Sequence, residues 1–313
     1  MIKSGVININ KPEGLTSQDV CTKLRRRLHI KRVGHTGTLD PMATGVLPVC
    51  FGKATRIIEY YDADLKTYEA VMQLGIVTDT LDRTGTVTER HPFDGITSEE
   101  IRLQFGQMTG RVEQTPPKYS ALKVGGRRLY DYARAGEAVE IRTRQIFIGS
   151  LKVEEIDLPE GIIHFTVQCS KGTYIRTICD DIGRALGCGA VMTELTRTGS
   201  GFFELSRSVS LEEVLAMTEE ELESVILPME ETLQYLGKAS LRSESSVPFF
   251  RNGREIGGCF VQTILEPECP AHAAADSPVK DRWRIYDPEG RFLGISRYDR
   301  ERDLFIADKI IME

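Results

Sequence analysis

Residues 34–49, Gly-His-Thr-Gly-Thr-Leu-Asp-Pro-Met-Ala-Thr-Gly-Val-Leu-Pro-Val, restrict the fold more than any other stretch of this chain. Three glycines and two prolines interrupt it, so its middle forms neither a regular helix nor a central strand. One carboxylate, Asp40, stands at its centre directly before Pro41. A residue before proline is driven toward extended geometry, and Asp-Pro initiates turns. Such a loop fixes the direction of one side chain. The apolar run Val46–Val49 then reads as a buried strand that anchors it. Spacing alone leaves Asp40 as either an ordinary turn former or a placed functional carboxylate. A phosphate-cradling loop is the rival glycine-rich reading. It fails, because Gly52-Lys53-Ala54-Thr55 needs a glycine at position 47, where Leu47 stands.

At 313 residues, one large domain plus a small one is the expected division. An apolar fraction of 41% supplies a sizeable core. No apolar stretch reaches membrane-spanning length, and MIKSGVININKP lacks a signal peptide's basic start and long apolar run. A soluble cytoplasmic protein without a membrane partner is expected. Seven cysteines, at 21, 50, 169, 179, 188, 259 and 269, are scattered, and none forms a CxxC. Cys269 with His272 lacks the rest of a zinc set, so reduced thiols and no metal are expected.

The net charge of −6 argues at first against nucleic acid. Its distribution reverses that. Residues 210–231 carry eight acids and no base, and without them the rest of the chain stands at +2. Residues 23–32 hold Lys23, Arg25, Arg26, Arg27, Lys31 and Arg32 with no acid, a local patch suited to a phosphate backbone.

Val6–Ile9 alternates as a strand, and a helix follows with Ser17 as its cap and Val20, Leu24 and Leu28 on one face. Ala54–Tyr61 reads as a short helix, Thr67–Gly75 as a strand and Ser98–Gln107 as a helix capped by Ser98. The segment 110–130 mixes cations and aromatics with Pro-Pro and Gly-Gly breaks, the composition on which RNA bases stack. Ile163–Cys169 alternates as a half-buried strand, and a helix follows Tyr174–Ile175–Arg176. Residues 210–231 read as an acidic helical stretch. Beyond it come short strands, Phe249–Gly253, Trp283–Asp287 and Phe292–Ser296, with residues 262–280 as an inserted loop.

The stretch 34–49 resembles the catalytic motif of the TruB family, the bacterial tRNA pseudouridine-55 synthases. Lys11-Pro-x-Gly-x-x-Ser17 is similar to the family's N-terminal motif, which packs beside the catalytic loop. Further likeness at 68–80, 110–130, 169–177 and 190–198 extends over nearly the whole chain. The resemblance implies an α+β fold: a mixed, largely antiparallel sheet flanked by helices, with a small β-rich, PUA-like RNA-binding domain at the C-terminus. It places a catalytic domain at 1–236, with a mobile RNA-binding flap at 110–145, and the PUA-like domain at 237–313.

The implied reaction converts one T-loop uridine of tRNA, position 55, to pseudouridine. The C1′–N1 bond breaks, the base rotates and C1′ joins C5. No redox change occurs, so no cofactor is expected; the expected partner is the tRNA T-arm stem-loop, met by a monomer. Asp40 is the implied catalytic carboxylate, with Arg176 as its buried cationic partner. Tyr68 supplies a ring to stack on uracil and a phenol near C5. Tyr174 buttresses the Asp40–Arg176 pair, Leu195 walls the base pocket, and His35 enters the space that the flipped base leaves. Lys11 and Lys118 complete the expected substrate contacts. Two rivals remain open at this point: a catalytically silent RNA-binding protein on the same fold, and a synthase acting on another RNA within a complex.

Overall fold

In the computed structural model, residues 3–268 and 279–311 are described. The strand Gly5–Lys11 starts a ten-stranded sheet that carries the functional cleft. Along its main path the neighbours are Val209–Ser210, Gly5–Lys11, Thr44–Phe51, Ala190–Ser200, Lys66–Leu74, Ile162–Cys169, Arg144–Asp157 and Gly110–Gln114. Two joints are parallel, Gly5–Lys11 with Val209–Ser210 and Thr44–Phe51 with Ala190–Ser200; the others are antiparallel. The mixed, largely antiparallel α+β architecture is present as expected.

The parallel joint at the centre is the shortest pairing on which the site depends. Thr196 registers with Thr44 and Arg197 with Gly45, and the strands then part. Gly45 has φ +99°, and a Cβ there would sit 2.2 Å from the Arg197 carbonyl oxygen. The glycine therefore lets the two half-sheets touch. The helices Ser17–Arg27, Ser98–Gln107 and Ile175–Ala185 contribute their buried faces to the main core, among them Val20 and Leu24, Ile101 and Phe105, and Ile178 and Ile182.

Several expected details are corrected. Thr16, not Ser17, caps the first helix through a capping box with Asp19, because the Ser17 hydroxyl is engaged by Leu39. Thr97, not Ser98, caps the second, again in a capping box, with Glu100. Gly52–Ala63 winds as a 3-10 helix around the expected Ala54–Tyr61. The acidic stretch breaks into two six-residue helices, Leu211–Ala216 and Glu219–Ser224, each with its own capping box. Glu219 pairs with Arg27 at 2.8 Å, so part of the basic patch is matched within the chain.

Residues 237–310 build a separate six-stranded sheet in the order Ile256–Gly257, Leu304–Ile310, Phe292–Asp299, Arg282–Tyr286, Gly237–Leu241, Val261–Leu265. It fits the expected PUA-like module. Phe249–Gly253 is not a strand: Val247–Arg251 is a helix with Pro248 in its first turn, a position where proline's missing N–H costs nothing. Val261–Leu265 is an edge strand rather than the start of a loop. Residues 269–278 of the expected insertion, with Cys269 and His272, lie outside the described residues. The two sheets share apolar packing, in which Val279, Ile295 and Ile311 cluster with Val46, Ile57, Tyr60 and Tyr61.

Candidate active site

Asp40 lies at the mouth of the central joint because its loop is fastened from below by the N-terminal segment. Lys11 is fully buried, and its Nζ donates to the carbonyls of Pro12 at 2.8 Å, Leu15 at 2.7 Å and Pro41 at 3.2 Å. Gly14 N donates to the same Pro41 carbonyl at 2.8 Å. The Ser17 hydroxyl accepts from Leu39 N at 2.9 Å. Ala43 N then closes the Asp40 turn at 3.1 Å. Lys11, Gly14 and Ser17 of the Lys-Pro-x-Gly-x-x-Ser motif thus hold the loop at the Pro41 carbonyl and the Leu39 N–H. Burial lowers the Lys11 ammonium to about 8, with Asp40 opposing that shift.

Arg176, on the first turn of the helix Ile175–Ala185, reaches Asp40 from the other side. Its Nη2 donates to Oδ1 at 3.3 Å, and its Nε forms an ion-pair contact with Oδ2 at 3.0 Å. The same guanidinium donates to the Thr80 carbonyl at 2.9 Å and the Tyr119 carbonyl at 3.1 Å. It lies 3.3 Å from a second carboxylate, Asp82 Oδ2. Cations are disfavoured at helix N-termini, and the two carboxylates offset that here. Asp82 is in turn held by Thr80 Oγ1 at 2.8 Å and by Thr84 N at 2.9 Å and Oγ1 at 2.6 Å. Leu81 before it has φ +64°, a strained setting for a leucine and worth about 1–3 kcal/mol. Burial pushes the Asp40 carboxyl above the usual carboxylate range; Arg176 pulls it down and Asp82 pushes it up.

A cavity of about 440 Å³ opens over this pair. Its lining includes His35, Asp40, Tyr68, Tyr174, Arg176 and Leu195, so six of the eight expected site residues converge. Lys11 does not line it and acts from beneath the loop. Lys118 is exposed and outside the lining, two residues before Ser120, which is part of it. Tyr174 carries Arg144 over its ring at 4.8 Å, and its backbone is clasped at both ends by Gln114 at 2.8 and 3.1 Å. The His35 Nδ1 is buried without a hydrogen-bond partner, and burial lowers its pKa, which keeps the ring neutral.

Three lining or supporting residues escaped the sequence reading. Asp82 lies just past the likeness at 68–80, and nothing in the sequence shows that its carboxylate faces Arg176. Lys66 lies two positions before Tyr68, hence on the same strand face, and lines the cavity with its ammonium lowered to about 8 by burial. Arg197 is 1% exposed and registers directly with Tyr68 across the sheet. The alternation Leu195–Thr196–Arg197 was the available signal for its direction: Leu195 marks the cavity face. Among the described residues no group of three or more His, Cys, Asp and Glu stands together as a metal site.

Solved structures place this fold in a class. The chain matches a subunit in "Crystal Structure of a Cbf5-Nop10-Gar1 Complex" with TM-score 0.75 and 25% identity, over 99% of this chain and 85% of that one. It also matches one in "Structure of H/ACA RNP bound to a substrate RNA containing 2'-deoxyuridine", with TM-score 0.73 and 25% identity, covering 100% and 86%. The fold is that of the pseudouridine synthases. Sequence narrows this further. Residues 25–175 match the TruB family pseudouridylate synthase N-terminal domain, and residues 176–234 the tRNA pseudouridylate synthase B C-terminal domain. A tRNA pseudouridine synthase B of Alkaliphilus oremlandii is 42% identical over 84% of this chain and 87% of its own. One of Bacillus pumilus is 38% identical over 99% and 98%. The chain belongs to the TruB family. No helix among the described residues is long and apolar enough to cross a membrane.

Proposed function

We propose that this chain isomerises the T-loop uridine at position 55 of tRNA to pseudouridine, with Asp40 as the reacting carboxylate. The activity class, uridine isomerisation in tRNA, follows from family membership. The observation that carries the residue assignment is the Asp40–Arg176 pair at the floor of the cavity. A flipped uridine entering there meets the carboxylate at C1′, with the Tyr68 ring against the base and Leu195 as its apolar wall. The guanidinium fixes both carboxylate oxygens toward one reacting atom, so positioning is complete before the base arrives. His35 in the cavity lining supplies a neutral ring for the gap that flipping leaves, whose unstacking costs a few kcal/mol. The exposed cations Lys23, Arg26, Lys31, Arg32 and Lys118 provide the backbone contacts. The T-arm is the substrate element, and the enzyme acts as a monomer.

The presence of Asp40, Tyr68 and Arg176 around one cavity favours catalysis over a silent RNA-binding role. The relatives near 40% identity named tRNA pseudouridine synthase B favour tRNA over another RNA. Asp40→Asn tests the assignment. Pseudouridine formation in a T-arm stem-loop should vanish while the Kd for tRNA stays within a few fold. Turnover by the Asn variant under single-turnover conditions would reject Asp40 as the reacting group.

A further inference from the structure

Arg197 has no role in the reaction as set out so far, although it is the most deeply buried arginine on the cavity wall. Its Nε donates to the Val46 carbonyl at 2.6 Å and its Nη2 to the Gly37 carbonyl at 3.2 Å. Among the described residues it forms no ion pair with a carboxylate. A buried charge without a counter-charge is expensive unless the site uses it. Its cross-strand partner is Tyr68, and residues directly opposite on neighbouring antiparallel strands hold their Cβ atoms about 4.5–5.5 Å apart. Both side chains line the cavity.

We propose that Arg197 is a positioning residue for the last proton transfer: its guanidinium stabilises the Tyr68 phenolate that removes the C5 proton. This rests on the uridine isomerisation proposed above. Once C1′ has joined C5, that carbon carries both C1′ and a proton, and N1=C6 is a double bond. The phenolate takes the C5 proton; the C5–H electron pair forms C5=C6, the N1=C6 π pair moves to N1, and N1 takes a proton from water. Nothing is oxidised or reduced. A neutral phenol is too weak a base for this step, so the site must hold a positive charge beside it. Asp40 is engaged by Arg176, and Asp82 lies behind the same guanidinium.

The groups facing Tyr68 are Arg197 from one neighbouring strand, Cys169 from the strand Ile162–Cys169 and Asp40 from the loop; Lys66 lies on its own strand. Burial pushes the phenol up, Arg197 pulls it down, and Cys169 and Asp40 push it up. Arg197 is therefore the cation that keeps the phenolate within reach.

The test uses a T-arm stem-loop with deuterium at C5 of the target uridine, in single-turnover pH profiles of wild type, Arg197→Gln and Arg197→Lys. The Gln variant should lose at least about tenfold at neutral pH for each unit by which the phenol rises. Its rate should climb with pH above neutrality, where the wild-type rate stays level, and show a C5 deuterium isotope effect that wild type lacks. The Lys variant should recover most of the rate. A loss that is equal at every pH, without an isotope effect, would mean that Arg197 only holds the loop and would overturn the proposal. If Arg197→Gln fails to fold, ¹³Cζ-tyrosine NMR of wild type decides, with Tyr68→Phe for assignment. Tyr68 should titrate below Tyr61, whose phenol burial also raises; titration together with Tyr61 would reject the pairing. Wild type inactive on tRNA would reject the proposed function instead, and the NMR comparison would still report on the pair.

Discussion

Asp40, Arg176 and Asp82 form a row in which one guanidinium serves two carboxylates. Arg176 also donates to two carbonyls from separate segments, Thr80 and Tyr119, which a point charge cannot reproduce in one geometry. Arg176→Lys should therefore cut single-turnover activity well beyond its effect on Tm. Near wild-type rates would mean that the fork is dispensable. The pH profile carries a sign. Burial raises the Asp40 carboxyl, so the reactive carboxylate is lost as pH falls through a value above the ordinary Asp range. The acid limb of the rate should lie above about 3.9, and Arg176→Lys should move it to higher pH, because the fork favours the charged form. At this scale the sequence was legible where a residue's role is local or lies in a recognised motif. Asp40 is marked by its own glycines and proline. Arg197 is marked by nothing nearby, because its meaning comes from a strand register with Tyr68 far along the chain.

The loop 36–43 is an element without secondary structure of its own, and it holds its shape through borrowed donors. Lys11, Gly14 and Ser17 converge on Leu39 and Pro41. Lys11→Met keeps much of the volume but leaves the Pro12 and Leu15 carbonyls without their Lys11 donor and takes one of two donors from Pro41. Each unsatisfied group costs about 1–3 kcal/mol, so a clear drop in Tm and in single-turnover rate is expected, with Kd for tRNA little changed. A rate loss confined to tRNA affinity would instead return Lys11 to substrate binding. The strands of the main sheet were legible because Val6–Ile9 and Ile163–Cys169 carry a period of two. The helix Val247–Arg251 was misread as a strand because its five residues are too few to show a helical period. The acidic stretch was misread as continuous because Ser210 and Thr218 each start a helix that ends within six residues.

At the scale of the whole molecule, a chain cut at the expected 1–236 domain boundary would meet a specific obstacle to folding and keeping its chemistry. The second sheet does not merely hang from the first. Val279, Ile295 and Ile311 pack in one cluster with Ile57, Tyr60 and Tyr61 on the 3-10 helix that follows the strand Thr44–Phe51. Tyr60 donates to Asp308 at 3.0 Å, Lys309 pairs with Glu59 at 2.6 Å, and Arg284 donates to the carbonyls of Glu230 and Leu236, each at 3.0 Å. Re-exposing each large apolar side chain costs about 1.5–3 kcal/mol, and a few such losses approach the 5–15 kcal/mol that holds a typical domain together. The truncated chain should thus show a markedly lower Tm, with exchange protection lost first in residues 52–63. Ile58 and Asp62 on that helix line the cavity, so activity should fall on an isolated T-arm stem-loop as well as on whole tRNA. Adding Ile57→Gln and Tyr60→Gln would lower the apolar exposure without touching the lining residues, and should recover solubility. Full activity of the plain truncation on the stem-loop, with an unchanged Tm, would show that the C-terminal sheet adds only tRNA contacts and that the shared packing does not support the catalytic side.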